Sequence, residues 1–161
     1  MLLSEQAYRD IDREISKYPA DQKRSAVMAA LTIAQTEKGW TSPEVIRDVA
    51  AYLDMPPIAV QEIATFYAMY NTQQPGRYTL TICTNLPCAL QGSAQAAEYL
   101  KEKLGVNFHE TTPDGMFTLL EGECMGACGD APVVIANDKH MCCRMQPEKI
   151  DALIRELKES A

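Results

Sequence analysis

The N-terminal half of the chain carries apolar side chains at the spacing of amphipathic helices. Ile11 and Ile15 lie four positions apart, and Val27 and Leu31 repeat that interval in a second segment. Side chains at this spacing share one face of a helix, so each segment has an apolar face that can be buried. Gly39 follows the second segment and predicts its end, because glycine readily adopts the left-handed conformation that closes helices.

Two more helices are predicted before residue 73, where the helical spacing of apolar residues ends. Ser42 can cap the first of them, and Pro43 fits its first turn. Pro57 opens the second, which we predict to extend to Tyr70. Its apolar and aromatic positions are interpreted mainly as helix core, and they are Ile58, Ile63, Phe66, Tyr67 and Tyr70.

The pattern changes after the turn-forming segment Gln73–Gly76. Arg77–Cys83 alternates apolar and polar residues, which predicts a β-strand. Further elements are predicted as a helix from Gly92 to Leu104, strands at Met116–Leu120, Pro132–Ala136 and Lys139–Cys143, and a final helix from Pro147. We therefore predict an α+β fold, with a helical domain over residues 1–72 and a small sheet with two helices over residues 77–161.

Composition and charge narrow the range of functions. The 161 residues are 47% hydrophobic and 23% charged, as in an ordinary globular protein, and the formal net charge is −7. This charge disfavours nucleic acid as a partner, because phosphate binding needs clustered Lys and Arg. The sequence contains neither a signal-peptide pattern nor an apolar run of ~18–20 residues. We expect a cytoplasmic protein with no direct membrane insertion.

Four of the six cysteines form two pairs. Cys83 and Cys88 have four residues between them, and Cys124 and Cys128 have three. Soft thiolates select iron–sulfur clusters, zinc or Cu(I), and four of them are the usual complement of a [2Fe–2S] cluster. The spacing favours the cluster but leaves a Cys₄ zinc site and, to a lesser degree, disulfides open. Gly126 and its small neighbours would let backbone N–H groups approach the sulfurs.

The other two cysteines are not predicted to be ligands of the same centre. Cys142 and Cys143 are adjacent, and neighbouring residues of a strand point to opposite faces. We interpret them as buried or half-buried thiols. The sequence also contains neither a Gly-x-Gly-x-x-Gly motif nor a phosphate loop, so we find no site for a nicotinamide nucleotide on this chain. A protein that stores electrons without such a site is expected to have a partner subunit.

The sequence resembles the E subunits of NADH-quinone oxidoreductase, the respiratory complex I subunits called flavoprotein 2 in mitochondria. The resemblance rests on the two cysteine pairs, on the segment Glu123–Pro132 (ECMGACGDAP) and on the segment Ala64–Tyr67 (ATFY). It covers nearly the whole chain, with no departure at the four cysteine positions.

This resemblance implies an N-terminal helical bundle followed by a thioredoxin-like [2Fe–2S] ferredoxin domain. It implies one [2Fe–2S] cluster whose four ligands are Cys83, Cys88, Cys124 and Cys128. The cluster would exchange an electron with the FMN of a partner flavoprotein subunit, which also binds NADH and a [4Fe–4S] cluster. Other peripheral-arm subunits of this proton-translocating complex would be further partners, at the inner face of the membrane. No catalytic residue is implied on this chain.

Two alternatives remain at this point. The equivalent subunit of a soluble NAD-linked hydrogenase or formate dehydrogenase would carry the same cysteine pattern. A zinc-stabilised interaction module without a redox role would also use four thiolates. The helix of residues 57–70 is a candidate for part of the partner surface, although core packing explains its apolar face as well.

Overall fold

A computed structural model describes residues 1–160 of the chain. The polypeptide divides into two compact units, Met1–Gln74 and a second unit that begins at Pro75. Each unit has its own hydrophobic core and is described separately. Across residues 1–160, the helices are all too short or too polar to cross a membrane.

The first unit is helical throughout. It consists of α1 (Glu5–Ile15), a 3₁₀ helix (Ala20–Ala26), α2 (Val27–Lys38), α3 (Pro43–Tyr52) and α4 (Pro57–Phe66). Two of the predicted helix ends are confirmed. Ser42 Oγ accepts a hydrogen bond from the N–H of Val45 at 3.2 Å at the start of α3, and Gly39 ends α2 with φ of 85°. The pattern did not predict the 3₁₀ helix, which leads directly into α2 and looks like part of it in the sequence.

Short apolar side chains from all four α-helices build the core of this unit. Ile11, Leu31, Val49 and Val60 are each almost fully buried. A hydrogen bond from the Tyr8 hydroxyl to the Asp48 carboxylate joins α1 to α3. The helices are therefore fixed by a common apolar centre and by polar contacts at its edge.

The interpretation of α4 as core helix is wrong for part of its apolar stripe. Val60 and Ala64 face the core, whereas Ile58 is 61% exposed and Phe66 is 80% exposed. The helix also ends at Phe66, because Tyr67 adopts an extended conformation. Apolar residues occur on both sides of this helix, so periodicity alone could not identify the buried side.

The second unit combines a five-stranded sheet with helices. The strands are β1 (Tyr78–Cys83), β2 (Glu110–Thr111), β3 (Phe117–Gly122), β4 (Val134–Ala136) and β5 (His140–Cys142). The helices are α5 (Leu86–Ala89), α6 (Ser93–Leu104) and α7 (Pro147–Glu159). The pattern missed β2, which has two exposed polar residues, and α5, which has only four residues. Neither is long enough to show a periodicity.

The order of strands in the sheet is β2-β3-β1-β4-β5. β1 and β3 are parallel, and Cys83 pairs with Gly122 where both strands end. β4 is antiparallel to β1, so its first residue, Val134, lies beside Ile82 near that same edge. Because parallel strands end at the same edge, the chain leaves β1 and β3 there and also enters β4 there.

Asp151 on α7 links this helix to α6. Its carboxylate accepts hydrogen bonds from Lys103 Nζ at 2.8 Å and from the Tyr99 hydroxyl at 3.0 Å. The hydrogen bond from Lys103 is the main cause that lowers the pKa of the Asp151 carboxyl. A carboxyl with a lowered pKa in the fold stabilises it above the unfolded pKa, and this contribution is lost as the pH falls through the folded pKa.

We expect Asp151→Asn to lower the free energy of unfolding near neutral pH and to have progressively less effect below the ordinary aspartate pKa of 3.8. Urea unfolding of both proteins across this pH range measures the difference. Lys103→Gln should reproduce the loss, and the double variant should add little to it. A loss of equal size at every pH would mean that packing, and not ionisation, explains the effect.

Candidate metal centre

The four paired cysteines lie at one edge of the sheet. Cys83 is the last residue of β1, and Cys124 follows the end of β3 by two positions. Cys128 begins a 3₁₀ helix that leads to β4. Cys88 lies on α5, the short helix that follows β1. The strand ends thus bring together two segments that are far apart in sequence.

Hydrogen bonds extend the strand pairing into this edge. The N–H of Cys83 donates to the carbonyl of Val133 at 3.1 Å, and the N–H of Thr84 donates to the carbonyl of Gly122 at 3.3 Å. Side chains add two more links, from Thr84 Oγ1 to the Glu121 carboxylate at 2.8 Å and from the Asn85 amide to the Glu123 carboxylate. The segments that carry the two cysteine pairs are therefore tied to each other on both sides of the strand ends.

The thiols are arranged as two pairs of different exposure. Cys83 and Cys88 are buried, Cys128 is half-buried and Cys124 is exposed. The Sγ atoms of Cys124 and Cys128 are 3.9 Å apart. This distance excludes a disulfide between them, which needs about 2.05 Å. It agrees with two sulfurs bound to one tetrahedral metal, since metal–sulfur bonds of about 2.3 Å place such sulfurs about 3.8 Å apart.

The pairs also influence each other electrostatically. Burial raises the pKa of the Cys88 thiol to about 11, with further contributions from Cys83 and, more weakly, from Cys128 and Cys124. The Cys124 thiol is the main cause that raises the pKa of Cys128. Cys88 and Cys128 therefore resist ionisation, and a bound cation would reverse this because it deprotonates its thiol ligands. Among residues 1–160, no group of three ligating side chains has the spacing to hold a metal ion.

One backbone donor already points at a sulfur. The N–H of Gly126 donates to Cys124 Sγ at 3.4 Å. Gly126 has φ of 74°, and a Cβ at this position would meet no atom within 4 Å. Glycine is therefore favoured here by the left-handed backbone and not by lack of space. The close approach of a backbone N–H to sulfur was predicted from the glycine-rich sequence, and the structure contains one such contact.

Cys142 and Cys143 are half-buried free thiols, as the sequence indicated. Cys142 lies on β5 beside the hydrophobic core of the second unit, and burial raises the pKa of its thiol. Arg144, which no sequence motif indicated, also contacts this edge of the sheet. Its guanidinium lies 2.9 Å from the carboxylate of Asp130, and its backbone N–H donates a hydrogen bond to the Asp130 carbonyl at 2.7 Å. No local pattern signals this contact, because it joins segments that meet only in the folded sheet.

Gly122 is the glycine of this edge with the least space around it. A Cβ there would lie 2.6 Å from Thr81 Cγ2 and 2.9 Å from Met125 Cε. The methionine methyl can move away, but Thr81 is β-branched and held on β1, so its methyl cannot. A side chain at Gly122 must therefore force the ends of β1 and β3 apart.

We expect Gly122→Ala to lower the free energy of unfolding by about 1–3 kcal/mol, as overpacking does in close-packed interiors. Gly129→Ala is the matched control, because a Cβ at Gly129 meets nothing within 4 Å. Urea unfolding of the three proteins measures both effects. Equal stability of the two variants would show that this edge of the sheet adjusts without cost.

The donor set fits an iron–sulfur cluster. Two cysteine pairs lie at one edge of the sheet, one of them buried, and the sulfurs of Cys124 and Cys128 have the separation expected of two ligands on one tetrahedral metal ion. A backbone N–H contributes a hydrogen bond of the kind that stabilises negative charge on sulfur. The four paired cysteines are therefore the candidate ligands at this edge of the sheet.

Comparison with known proteins identifies relatives of the chain. Residues 11–158 match the thioredoxin-like [2Fe–2S] ferredoxin family. A relative from Rickettsia bellii, one of the E subunits of NADH-quinone oxidoreductase, is 43% identical over 145 residues, which are 89% of this chain and 86% of that protein. NADH-quinone oxidoreductase subunit 2 of Thermus thermophilus is 35% identical over 148 residues, which are 92% of this chain and 82% of that protein.

A solved structure is similar in fold. It is an NAD⁺-reducing [NiFe]-hydrogenase in the air-oxidized state, with a TM-score of 0.75 and 21% identity. The match covers 89% of this chain and 24% of the hydrogenase chain. The likeness supports the predicted α+β class, and the relatives confirm the predicted resemblance to the E subunits of NADH-quinone oxidoreductase. The chain therefore belongs to the thioredoxin-like [2Fe–2S] ferredoxin family, among the E subunits of NADH-quinone oxidoreductase.

Proposed function

We propose that this chain is an electron-transfer subunit of an NADH:quinone oxidoreductase and holds one [2Fe–2S] cluster. The observation that carries the proposal is the meeting of two cysteine pairs at one edge of the sheet; the proposed ligands are Cys83, Cys88, Cys124 and Cys128. The names of the relatives support the parent complex. A cluster of this kind supplies a centre that accepts and returns one electron at a time.

The protein contributes burial, hydrogen bonding and a fixed geometry. Cys83 and Cys88 lie on the buried side of the centre, whereas Cys124 lies on the exposed side. The four thiols lose their protons when they become ligands, so assembly of the centre is favoured as the pH rises. The reduction potential of the centre would then depend on the hydrogen bond from the N–H of Gly126 and on the burial of Cys83 and Cys88.

The partner in this proposal is a flavoprotein subunit that carries FMN, NADH and a [4Fe–4S] cluster. This chain would exchange an electron with the flavin and would not itself take hydride, since its sequence has no nucleotide-binding motif. We further propose that residues 77–161 form the cluster domain and that residues 1–72 contribute contacts to other subunits. The assembly would place the chain at the cytoplasmic face of the membrane through its partners.

An exposed apolar face supports the assignment of subunit contacts to the helical unit. Ile58, Phe66, Tyr67 and Met69 are all exposed, and Glu62 is the only charged residue of the segment 56–76. Interface centres are enriched in aromatic residues and methionine and are depleted of charge. We propose that a subunit of the parent complex covers this face.

Metal analysis and EPR of the anaerobically purified full-length chain test the cluster. About two irons and two sulfides per chain, with an S = 1/2 signal that appears only after dithionite, support the proposal. One zinc and no signal would replace it by a zinc-stabilised interaction module. Co-purification tests the parent complex: recovery with a nickel or molybdenum subunit would assign the chain to an NAD-linked hydrogenase or formate dehydrogenase instead.

A further inference from the structure

The backbone conformation of Arg144 is unusual for its residue type. The non-glycine residues with positive φ among residues 1–160 are Asp54, His109, Asn137, Asp138 and Arg144. Asn, Asp and His are several-fold enriched in this conformation, whereas arginine is not. Arg144 has φ of 54°, where glycine would be free of strain. The strained backbone of Arg144 suggests that its side chain has a functional role.

Both hydrogen bonds that Arg144 donates reach the loop that carries the second cysteine pair. Its N–H donates to the carbonyl of Asp130 at 2.7 Å, and its Nη2 donates to the Asp130 carboxylate at 2.9 Å. The next residue, Met145, donates its N–H to the carbonyl of Pro132 at 3.0 Å. Asp130 follows Cys128 by two positions. The segment 144–145 thus holds the loop from the side of β5.

The charge of Arg144 is also unusual in its surroundings. The cysteine-bearing segments 83–92 and 120–132 contain three carboxylates and no Lys or Arg; the acidic residues are Glu121, Glu123 and Asp130. Arg144 comes from outside these segments and brings a positive charge to them. The ion pair is solvent-exposed, with side-chain exposures of 70% and 50%. An exposed pair contributes little to folding stability, so stability alone does not account for it.

We propose that Arg144 is a positioning residue for the cluster-binding loop and that its charge raises the reduction potential of the centre. The inference rests on the proposed function, because the potential is that of a bound [2Fe–2S] cluster. Reduction adds one electron to an anionic centre, and a nearby cation stabilises the reduced form. Asp130 acts in the opposite direction, since its negative charge partly cancels that of Arg144.

The test uses substitutions that separate charge from backbone geometry. Arg144→Gly removes the charge and tolerates the positive φ, whereas Arg144→Lys keeps the charge and loses the planar fork. Asp130→Asn removes the opposite charge with little change of shape. Lys139→Gln is the matched control, because Lys139 lies at the opposite edge of the sheet from the cysteines. It follows the end of β4, where the N–H of Asn137 donates to the carbonyl of Thr79 near the start of β1.

Redox titration followed by EPR gives the midpoint potential of each full-length protein. We expect a shift to more negative potential in Arg144→Gly, a smaller one in Arg144→Lys, and a shift to more positive potential in Asp130→Asn. Added salt should reduce these shifts, because the pair is exposed. Lys139→Gln should leave the potential unchanged. Shifts of the same sign in Arg144→Gly and Asp130→Asn, or no shift in either, would overturn the electrostatic role.

Amide hydrogen exchange in the metal-free chain tests the positioning role without the cluster. We expect the amides of residues 126–130 to exchange about two- to fivefold faster in Arg144→Gly and Asp130→Asn. This change corresponds to a fall of about 0.4–1 kcal/mol in the free energy of local opening. Unchanged exchange would overturn that role. If the wild-type chain binds no [2Fe–2S] cluster, the proposed function fails, and the exchange rates still decide whether Arg144 holds the loop.

Discussion

Replacement of Cys124 by serine is expected to abolish or greatly weaken [2Fe–2S] binding, whereas Cys142→Ser leaves it intact. Cys124 Sγ lies 3.9 Å from Cys128 Sγ and accepts the N–H of Gly126, so it belongs to the paired arrangement. Serine replaces a soft thiolate by a hard oxygen ligand that is much less acidic than a thiol, and iron–sulfur centres select soft sulfur ligands. Cys142 instead packs against the core of the second unit from β5.

Iron, acid-labile sulfide and the EPR signal after dithionite measure this difference. Cys143→Ser serves as a second control, since Cys143 is half-buried like Cys142. Far-UV circular dichroism shows whether each variant keeps its fold. Equal cluster loss in Cys124→Ser and Cys142→Ser, with the fold retained in both, would refute the proposed ligand set.

Phe117→Ala should be among the most destabilising single substitutions in the second unit. Phe117 opens β3, is 1% exposed and pairs with Tyr78, with ring centroids 5.8 Å apart. Truncation of a buried phenylalanine removes apolar contacts and leaves a cavity, which costs about 3–5 kcal/mol. Loss of the aromatic pair adds to this cost. We expect the midpoint of urea unfolding to fall accordingly.

Phe66→Ala provides the same chemical change at a site that is 80% exposed. Its effect on the free energy of unfolding should stay within about 0.5 kcal/mol. Hydrogen exchange identifies the affected unit: Phe117→Ala should accelerate exchange in β1 and β3 and leave α2 unchanged. Similar destabilisation by both substitutions would contradict the burial pattern. If Phe66 belongs to the proposed subunit contact, its truncation should weaken recovery of the parent complex instead.

The sequence predicted most of the second unit because its signals are local. Alternation identified β1, an N-terminal proline identified the start of α7, and Gly105 identified the end of α6. The four paired cysteines were also recognisable, since their spacing does not depend on the fold. Each of these features is encoded within a few neighbouring residues.

Other features depend on contacts between distant segments. The pairing of Cys83 with Gly122 follows from the register of two parallel strands, and no local pattern fixes that register. The contact of Arg144 with Asp130 needs β5 to lie on the correct side of β4. The exposure of Phe66 was missed because both sides of α4 are apolar, so its inner side is known only once its neighbours are placed.

The exposed apolar face at the end of α4 can promote self-association of the chain before it binds a partner. Ile58, Phe66 and Met69 present apolar surface from a segment with a single charged residue. Chains made in excess of their partners would meet one another through this surface, and higher ionic strength would not weaken that attraction as it weakens ion pairs. We therefore expect a newly synthesised chain to be most prone to aggregation and proteolysis before it binds a partner, and balanced production of subunits would limit this.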